Sequence, residues 1–434
     1  MKRRTLLRGV LGAAGLTAGS YMFRNPLLTA AHAQTAPTPT LVVIFQRGGC
    51  DWLNGVVPYG DAFYPVLRPT IGIAGPNPAD PAAALALGDP NGLGNQPTDF
   101  FGLHPSLAPL VDIYNAGDLA LLPTVQYDNA TRSHFDGQHR IESGAPRDDL
   151  SGWLNRHLSL AGIRGQLQAV HFGGELAQAL RGSIPVQSFS TINAFTLGLT
   201  DIDETALTSA VIPVYNDFPS PASTYELLVH QYGQVLFNNL DVAQSIDTDS
   251  YTPENGADYP NGSYGRRLRE IAQLIKEDVG LEAATVDIGG WDTHSNQGGG
   301  DSGGRQARRF AEFAAGIRAL YDDLGPAMDN VIILSMTEFG RTSRENGSFG
   351  TDHGNATTWC VAGRGIAGGI YGAWPGLDPS NDLYQGRYLM HTVDFRDVMG
   401  DILVNLYGHD AADLGSLLPG HPYSSVGLFG AMTA

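Results

Sequence analysis

Residues 330–354, with the sequence NVIILSMTEFGRTSRENGSFGTDHG, constrain the fold more than any other part of the chain. They open with an apolar run, VIILSM, bounded by turn-forming residues, which is typical of a central strand in a parallel sheet. The run leads to Glu338 and Arg341, and the polar loop behind it closes on Asp352 and His353. Parallel sheets gather their chemistry at the carboxyl ends of their strands. The segment therefore predicts a metal site or an acid–base site at one rim of an α/β sheet.

Two other apolar runs also lead directly into acids. Residues 40–46, TLVVIFQ, are followed by Arg-Gly-Gly-Cys and then Asp51, and residues 283–288 are followed by Asp292 and His294 in the sequence GGWDTH. Apolar spacing also indicates several helices between the strands, so we expect one α/β domain over residues 34–434. The predicted helices are 105–115, 225–241, 266–279, 306–324 and 394–406, and the further predicted strands are 119–125, 168–172, 184–189 and 358–362.

The first 33 residues have the features of an export signal. Arg3 and Arg4 precede Thr-Leu-Leu, an uncharged stretch follows, and Ala-His-Ala ends at residue 33. This arrangement predicts a twin-arginine signal peptide, and a membrane anchor is the alternative. The apolar run is about 15 residues long, against the roughly 20 that span a bilayer. We therefore expect the protein to be located in the periplasm or outside the cell, without stable insertion into a membrane.

Two glycine-rich and proline-rich regions interrupt the pattern of strands and helices. Residues 54–101 are predicted to be a surface excursion, and residues 200–265 a cap inserted into the domain. The two cysteines, Cys50 and Cys360, are too few for a disulfide framework. The formal net charge is −18, which argues against nucleic acid as a partner. An anionic substrate stays compatible with this charge, because a bound divalent cation can invert the local field.

The acids and histidines at the strand ends are candidate metal ligands. Carboxylate and imidazole together suit zinc or another transition ion such as manganese, while carboxylates alone suit calcium or magnesium. Strand-end acids also cap helices or pair with arginine, so a polar rim without a metal is the alternative. One or two divalent ions are expected, and the candidate ligands are Asp51, Asp292, His294, Glu338, Asp352 and His353.

A second polar cluster, residues 131–139 with the sequence TRSHFDGQH, offers a nucleophile. A Ser or Thr hydroxyl beside a divalent cation can attack phosphorus or sulfur, and Ser133 and Thr131 are the candidates. Either residue could instead be only a helix N-cap. His134 is a candidate further ligand or general acid. Arg341 could fork onto the oxygens of a phosphate or sulfate, or form a salt bridge with a ligand carboxylate.

Together with the leader, five motifs resemble a large family of exported bacterial proteins of unknown function, grouped with the alkaline phosphatase and sulfatase superfamily. They are LVVIFQRGGCDWLNG, TRSHF, GGWDTHSNQ, TEFGRTSRENGSFGTDHG and GIAGGIYGAWPGL, and the resemblance covers the mature chain apart from residues 200–265. It implies an alkaline-phosphatase-like three-layer sandwich, with a mostly parallel central sheet flanked by helices. The superfamily's order of site residues is met here by Asp51, then Ser133 or Thr131, then Asp292 and His294, then Glu338, then His353.

The chain departs from the superfamily pattern at two places. Glu338 and Phe339 stand where an Asp-His pair is expected, and the Asp-to-His spacing in WDTH is tighter than usual. Because of these departures, the protein could bind a single metal ion, bind an unusual metal or have lost catalysis. The first hypothesis is an exported metal-dependent hydrolase of small-molecule or glycan phosphate or sulfate esters. The second is a non-catalytic secreted binding or assembly protein on the same scaffold.

Overall fold

The structure is a computed structural model that describes residues 37–88, 99–146, 148–162, 167–196 and 224–430. The predicted signal peptide, residues 1–33, and residues 200–223 of the predicted cap lie outside the described residues. The strands are β1 (Thr40–Gln46), β2 (Val56–Val57), β3 (Leu85–Ala86), β4 (Gly102–Leu103), β5 (Leu119–Gln126), β6 (Ala169–Phe172), β7 (Gln187–Phe189), β8 (Ala283–Ile288), β9 (Val331–Met336), β10 (Thr357–Ala362), β11 (Gly369–Ile370) and β12 (Val393–Asp394).

The helices of the described chain alternate with these strands. The α-helices are α1 (Tyr64–Leu67), α2 (Val111–Asn115), α3 (His134–Ser143), α4 (Trp153–Ala161), α5 (Thr224–Ser245), α6 (Ser263–Lys276), α7 (Arg305–Leu324), α8 (Phe395–Asn405) and α9 (Leu414–Leu417). Short 3₁₀ helices cover Pro105–Leu110, Gln178–Leu180, Ile192–Ala194, Gly325–Asn330 and Ala411–Asp413. The predicted helices and strands are confirmed within a few residues at each end, except that the predicted helix over 105–115 divides into a 3₁₀ helix and α2.

One large sheet organises the molecule. Its strands lie in the order β11-β5-β10-β9-β1-β8-β6-β7, with β12 also paired to β5. The central strand β1 is parallel to both β8 and β9, whereas β10 is antiparallel to β9 and to β5. The prediction of a mostly parallel central sheet is confirmed.

The two faces of the sheet bury separate apolar clusters, because successive side chains of a strand point to opposite faces. In β1, Val42 and Ile44 join the cluster that contains residues of α6 and α7. Leu41 and Val43 join the cluster under α4, α8 and α9. Helices therefore cover both faces, and the domain has the predicted three α/β/α layers.

The prediction that residues 54–101 form a surface excursion is wrong for the part of this region that packs into the domain, while residues 76–81 are exposed as predicted. This region supplies α1 and two strands of a second sheet, β2 and β3, which both pair with β4 just beyond the region. Its side chains Val57, Tyr64 and Leu67 are buried in a third apolar cluster. The apolar pieces are too short for a helical or strand period to be read from the sequence, and they are buried only through packing against residues distant in the chain.

Three further findings bear on the other predictions. Of the predicted cap, the described part contains α5, and its status as an insertion stays a prediction. Cys50 and Cys360 are both free and buried. Within the described ranges, every helix is too short or too polar to cross a membrane.

Candidate metal centre

The candidate site lies at the rim where β1, β8 and β9 end. The register pairs Gln46 with Ile288, and Phe45 with Met336, so the three strands end almost level. The loops that follow them carry Asp51, Asp292 and Glu338 to the same rim. The antiparallel strand β10 begins at this rim, and His353 lies just before it. The helix α3, which starts at His134 and follows β5, brings a further histidine to the cluster.

Two glycines let the β1 loop fit closely against its neighbours. Gly48 has a φ of +124°, and a Cβ there would lie 2.8 Å from the backbone nitrogen of Asp292. Gly49 has a φ of +64°, and a Cβ there would lie 2.5 Å from the ring of Phe339. Both conformations favour glycine, and both approaches exclude a side chain. The Gly-Gly pair thus allows the loops after β1, β8 and β9 to converge.

Four side chains converge at the centre of this rim. The Nε2 atoms of His294 and His353 lie 3.0 Å and 3.3 Å from Oδ1 of Asp292 and 3.1 Å from each other. Nε2 of His134 lies 3.6 Å from the other carboxylate oxygen, Oδ2. The ligand atoms of His134, Asp292 and His353 all lie within 4.8 Å of one another, a spacing that could hold a metal ion.

The opposite nitrogen of each of these imidazoles is held by an acceptor. Nδ1 of His134 lies 2.8 Å from Oε1 of Glu338, and Nδ1 of His294 lies 3.1 Å from Oδ1 of Asp352. Nδ1 of His353 lies 2.8 Å from the carbonyl oxygen of Arg132. Carboxylate and carbonyl oxygens accept only, so neutral imidazoles here carry their proton on Nδ1. Each Nε2 lone pair then points to the centre of the cluster, as in histidine ligands of metals.

The residues present fit a metal ion on two further observations. Nε2 of His134 is buried and has no hydrogen-bond partner among the described residues. An unsatisfied buried acceptor is costly, and a cation at that point would satisfy it. In addition, two ligands of a tetrahedral zinc ion lie about 3.3 Å apart when each is about 2.0–2.1 Å from the metal. The Nε2 atoms of His294 and His353 lie 3.0 Å and 3.3 Å from Oδ1 of Asp292, close to this value, and that of His134 lies 3.6 Å from Oδ2.

Glu338 is fully buried and supports His134 from behind. Its Oε1 also accepts hydrogen bonds from the backbone nitrogen of Gly48, at 2.9 Å, and from Gln138 Nε2, at 3.1 Å. Burial alone would raise the pKa of Glu338, but the hydrogen bonds from His134 and Gln138 bring it below its ordinary value. The same hydrogen bond raises the pKa of His134. Glu338 is therefore an anionic acceptor that orients His134 and makes its Nε2 a stronger donor to a metal.

Asp292 is positioned by Arg341, whose side chain is completely buried. Arg341 Nη2 lies 2.5 Å from Oδ1 of Asp292 and also contacts the carbonyl oxygens of Gly48 and Trp291. Its Nε and Nη1 donate to the carbonyl oxygens of Gly49 and Thr351. Burial alone would raise the pKa of Asp292, but the hydrogen bond and charge of Arg341 lower it. All three nitrogens of the Arg341 guanidinium thus donate to loop carbonyl oxygens or to Asp292.

Asp51 lies in a separate buried network. Both of its carboxylate oxygens accept from the guanidinium of Arg68, at 2.7 Å and 2.8 Å, and Gln297 Nε2 donates to Oδ2 at 2.6 Å. Asp51 and Arg68 are both 1% exposed. Asp51 is not brought into the cluster around Asp292, and its two oxygens are already engaged by a cation.

The two candidate nucleophiles lie in the segment that leads from β5 to α3. Ser133 is the residue before the first turn of α3, and its side chain makes no capping hydrogen bond. Thr131 Oγ1 accepts a hydrogen bond from the backbone nitrogen of Ser133 at 3.2 Å. Ser133 directly precedes His134, a residue of the cluster, in the chain. The choice between the two hydroxyls stays a prediction.

Three residues of the site were not singled out by sequence reasoning. Arg68 lies in a region predicted to be surface, and nothing in the sequence links it to Asp51. Gln138 and Gln297 are neutral amides that do not stand out as ligands. For Gln138 a signal was present, because it follows His134 by four residues and so lies on the same face of α3.

Part of this chain matches a known protein family. The family described as "Protein of unknown function (DUF1501)" matches residues 232–411, a range that contains Asp292, His294, Glu338 and His353. Comparison with curated proteins found no match.

Similar solved structures share little sequence with the chain. One is the C-terminal periplasmic domain of EcEptC from Escherichia coli in complex with Zn, with 7% identity, a TM-score of 0.34, and coverage of 76% of this chain and 74% of that chain. Another is the phosphonate monoester hydrolase of Agrobacterium radiobacter, with 12% identity, a TM-score of 0.29, and coverage of 89% and 78%. A third is a 2-O GAG sulfatase, with 10% identity, a TM-score of 0.29, and coverage of 76% and 65%.

Proposed function

We propose that this protein is an exported, metal-dependent hydrolase of phosphate or sulfate esters. One observation carries the proposal: His134, His294 and His353 each have Nδ1 held by an acceptor, and their Nε2 atoms meet around the Asp292 carboxylate. This arrangement supports a bound cation. It would be hard to explain as packing, because it leaves a buried imidazole nitrogen without a hydrogen bond.

The proposed ligands are His134, Asp292, His294 and His353. Three imidazoles and one carboxylate suit zinc or another transition ion better than calcium or magnesium, which prefer oxygen ligands. We propose a single ion, because Arg68 engages both carboxylate oxygens of Asp51, whereas Arg341 engages only Oδ1 of Asp292. Glu338 and Asp352, which the sequence suggested as ligands, would instead orient His134 and His294.

The proposed reaction follows from the groups beside the centre. When bound, a divalent cation stabilises negative charge on the ester oxygens and favours ionisation of a nearby hydroxyl. Ser133 is the proposed nucleophile, because it directly precedes His134 in the chain, and Thr131, three residues before His134, is the alternative. Attack by the hydroxyl oxygen on phosphorus or sulfur would release the alcohol, and water would then release the phosphate or sulfate. Arg341 would act as a positioning residue through Asp292.

A metal analysis tests the proposal first. Protein purified without chelators is expected to contain about one equivalent of a transition ion by mass spectrometry of the elements. His353→Ala should lose it, whereas the control His391→Gln should keep it. His391 lies outside the cluster and pairs with Asp128, whose side chain is 94% exposed. A folded wild-type protein that binds no divalent ion when supplied with one would rule out the proposal.

A non-catalytic binding or assembly protein on the same scaffold is the second candidate. The complete occupation of Arg341 by loop carbonyl oxygens and Asp292 favours it, because this arginine is then not available to a substrate oxyanion. Activity against aryl phosphates and aryl sulfates separates the two candidates. Hydrolysis that depends on Ser133 or Thr131, measured with the Ser133→Ala and Thr131→Ala variants, supports the hydrolase. Metal-loaded protein without activity on any such ester supports the binding protein.

A further inference from the structure

A pair of arginines lies beside the candidate metal centre around one tyrosine ring. The guanidinium carbon of Arg132 lies 4.6 Å from the centroid of the Tyr388 ring, and that of Arg387 lies 5.5 Å from it. Tyr388 is 6% exposed, whereas both arginines are exposed. A buried aromatic ring thus holds two exposed cations at its surface, in a chain with a formal net charge of −18.

The backbone places this pair next to the metal centre. Arg341 bridges to His353, and the next residue, Thr342, bridges to Tyr388. Neighbouring extended segments lie about 4.8 Å apart, so Tyr388 is on the order of 10 Å from the segment that carries His353. Arg132 is connected more directly, because its carbonyl oxygen accepts the hydrogen bond from Nδ1 of His353 at 2.8 Å.

The guanidinium groups are free to bind an anion. In the part of the chain that the structure describes, neither guanidinium makes an ion pair within 4.0 Å of a carboxylate oxygen, and Arg387 acts on the Asp352 carboxylate only from a longer distance. Stacking on Tyr388 uses the face of a guanidinium, whereas its N–H groups lie along the edge in the plane of the group. Those edges can fork onto two oxygens of a sulfate, phosphate or carboxylate.

We infer that Arg132 and Arg387, stacked around Tyr388, form a subsite for a second anionic group of the substrate. The inference rests on the proposed function, because it names the substrate class of the same site. The substrate then carries at least two anionic groups: the ester that reaches the metal centre, and a further sulfate, phosphate or carboxylate that the arginines bind. Multiply charged esters, such as those of polyanionic glycans, fit this description.

The test compares two stable probes that differ by one anionic group. Naphthalene-2-sulfonate and naphthalene-2,6-disulfonate are titrated into the protein as purified, and binding is measured by calorimetry at low and moderate salt. The disulfonate is expected to bind at least about tenfold more tightly, because it gains a forked ion pair. Arg132→Gln and Arg387→Gln should each reduce this difference. The matched control, Arg364→Gln, should keep it, since Arg364 pairs with Asp329 just before β9 starts, at the opposite rim.

The outcomes separate this inference from the proposed function. Equal binding of the two probes to the wild type, or an unchanged preference in the Arg132→Gln/Arg387→Gln double variant, overturns the subsite. Neither outcome bears on the metal content of the protein, so the proposed function would stand. Conversely, the protein could bind no metal and still prefer the disulfonate through Arg132 and Arg387. That outcome would support the anion subsite and rule out the metal-dependent hydrolase. Melting temperatures close to that of the wild type establish that the variants are folded.

Discussion

Glu338 and His134 form the contact that orients the candidate metal centre: Oε1 of Glu338 lies 2.8 Å from Nδ1 of His134. The residues are 204 positions apart in the chain and lie on the loop after β9 and in the first turn of α3. Because Glu338 is fully buried, its charge acts on the imidazole with little screening by water. Glu338, which the sequence suggested as a metal ligand, therefore orients the ligand His134 instead.

Glu338→Gln is expected to weaken metal binding without abolishing it. The neutral amide can still accept from Nδ1 of His134, but it no longer raises the basicity of the imidazole. Loss of such a support typically costs about 10- to 100-fold in metal affinity. Competition with a chromophoric chelator measures the effect. Glu345→Gln is the control, because Glu345 lies on the same loop and accepts from the backbone of Thr70 and Ile71 instead. Equal affinities in the two variants would contradict this role of Glu338.

Asp51→Asn is expected to reduce stability and leave the metal in place. The substitution leaves the buried guanidinium of Arg68 without its counter-ion, which costs about 3–5 kcal/mol of unfolding free energy. Urea denaturation and metal analysis are measured on the same preparation. Asp301→Asn, at an exposed loop position, serves as the control. If the metal is lost while the stability is unchanged, Asp51 is a ligand as the sequence suggested.

Gly49→Ala is expected to destabilise the rim of the sheet. Alanine would have to adopt a φ near +64° and would place its Cβ 2.5 Å from the Phe339 ring. Strain and overpacking together predict a loss of about 2 kcal/mol or more. Gly289→Ala in the β8 loop is the matched control, because a Cβ there meets no atom within 4 Å. Similar unfolding free energies for the two variants would show that the β1 loop can relax.

Stability is expected to fall on acidification through His104. Burial lowers the pKa of His104 to about 4, although a hydrogen bond to the Gly299 carbonyl acts in the opposite direction. The unfolded chain, with a histidine pKa of about 6.5, binds the proton first. The unfolding free energy therefore decreases as the pH falls below about 6.5 and levels off below about 4. The total decrease from His104 is up to about 3 kcal/mol.

The variant His104→Asn isolates this contribution. Asparagine can keep the capping interaction that Nδ1 of His104 makes with the backbone nitrogen of Ser106. It removes the titratable group, so its unfolding free energy should change less between pH values of about 7 and 4 than that of the wild type. Chemical denaturation at a series of pH values provides the comparison. Parallel pH profiles for the two proteins would assign the acid sensitivity to other groups.

Replacing Arg3 and Arg4 by lysine is expected to block export. The twin-arginine pair is the recognition element of the predicted leader, whereas the positive charge alone is retained in the variant. Cell fractionation with an antibody against the mature chain measures the distribution. The control is Lys2→Arg, which leaves the pair intact. Normal export of the double-lysine variant would exclude this route.

Much of the fold could be predicted because its elements are specified locally. The runs in β1, β8 and β9 are apolar, short and bounded by turns, and α7 shows a clear helical period. The region around Tyr64 could not be predicted in this way. Its apolar residues have no period of their own, and their burial depends on the loops against which they pack.

The same distinction applies to the site. Residue types and strand ends sufficed to single out His134, Asp292, His294 and His353 as chemically important. Their roles could not be deduced, because an acid at a strand end has the same sequence pattern whether it binds a metal, orients a histidine or neutralises an arginine. The structure separates these cases by the partner of each carboxylate: the histidine cluster for Asp292, His134 for Glu338 and Arg68 for Asp51.

The sequence by itself determined the α/β class, the order along the chain of the main strands of the large sheet and of helices α5 to α8, and the rim at which the polar residues collect. These features follow from the hydrophobic period and from turn residues, which act over a few positions. Only the tertiary structure decided which side chains share one centre and which nitrogen of each histidine faces it. Those properties depend on contacts between residues far apart in the chain: Glu338 and His134 are 204 positions apart, and Asp51 and Gln297 are 246 positions apart. Local sequence patterns extend over only a few positions and therefore do not contain this information.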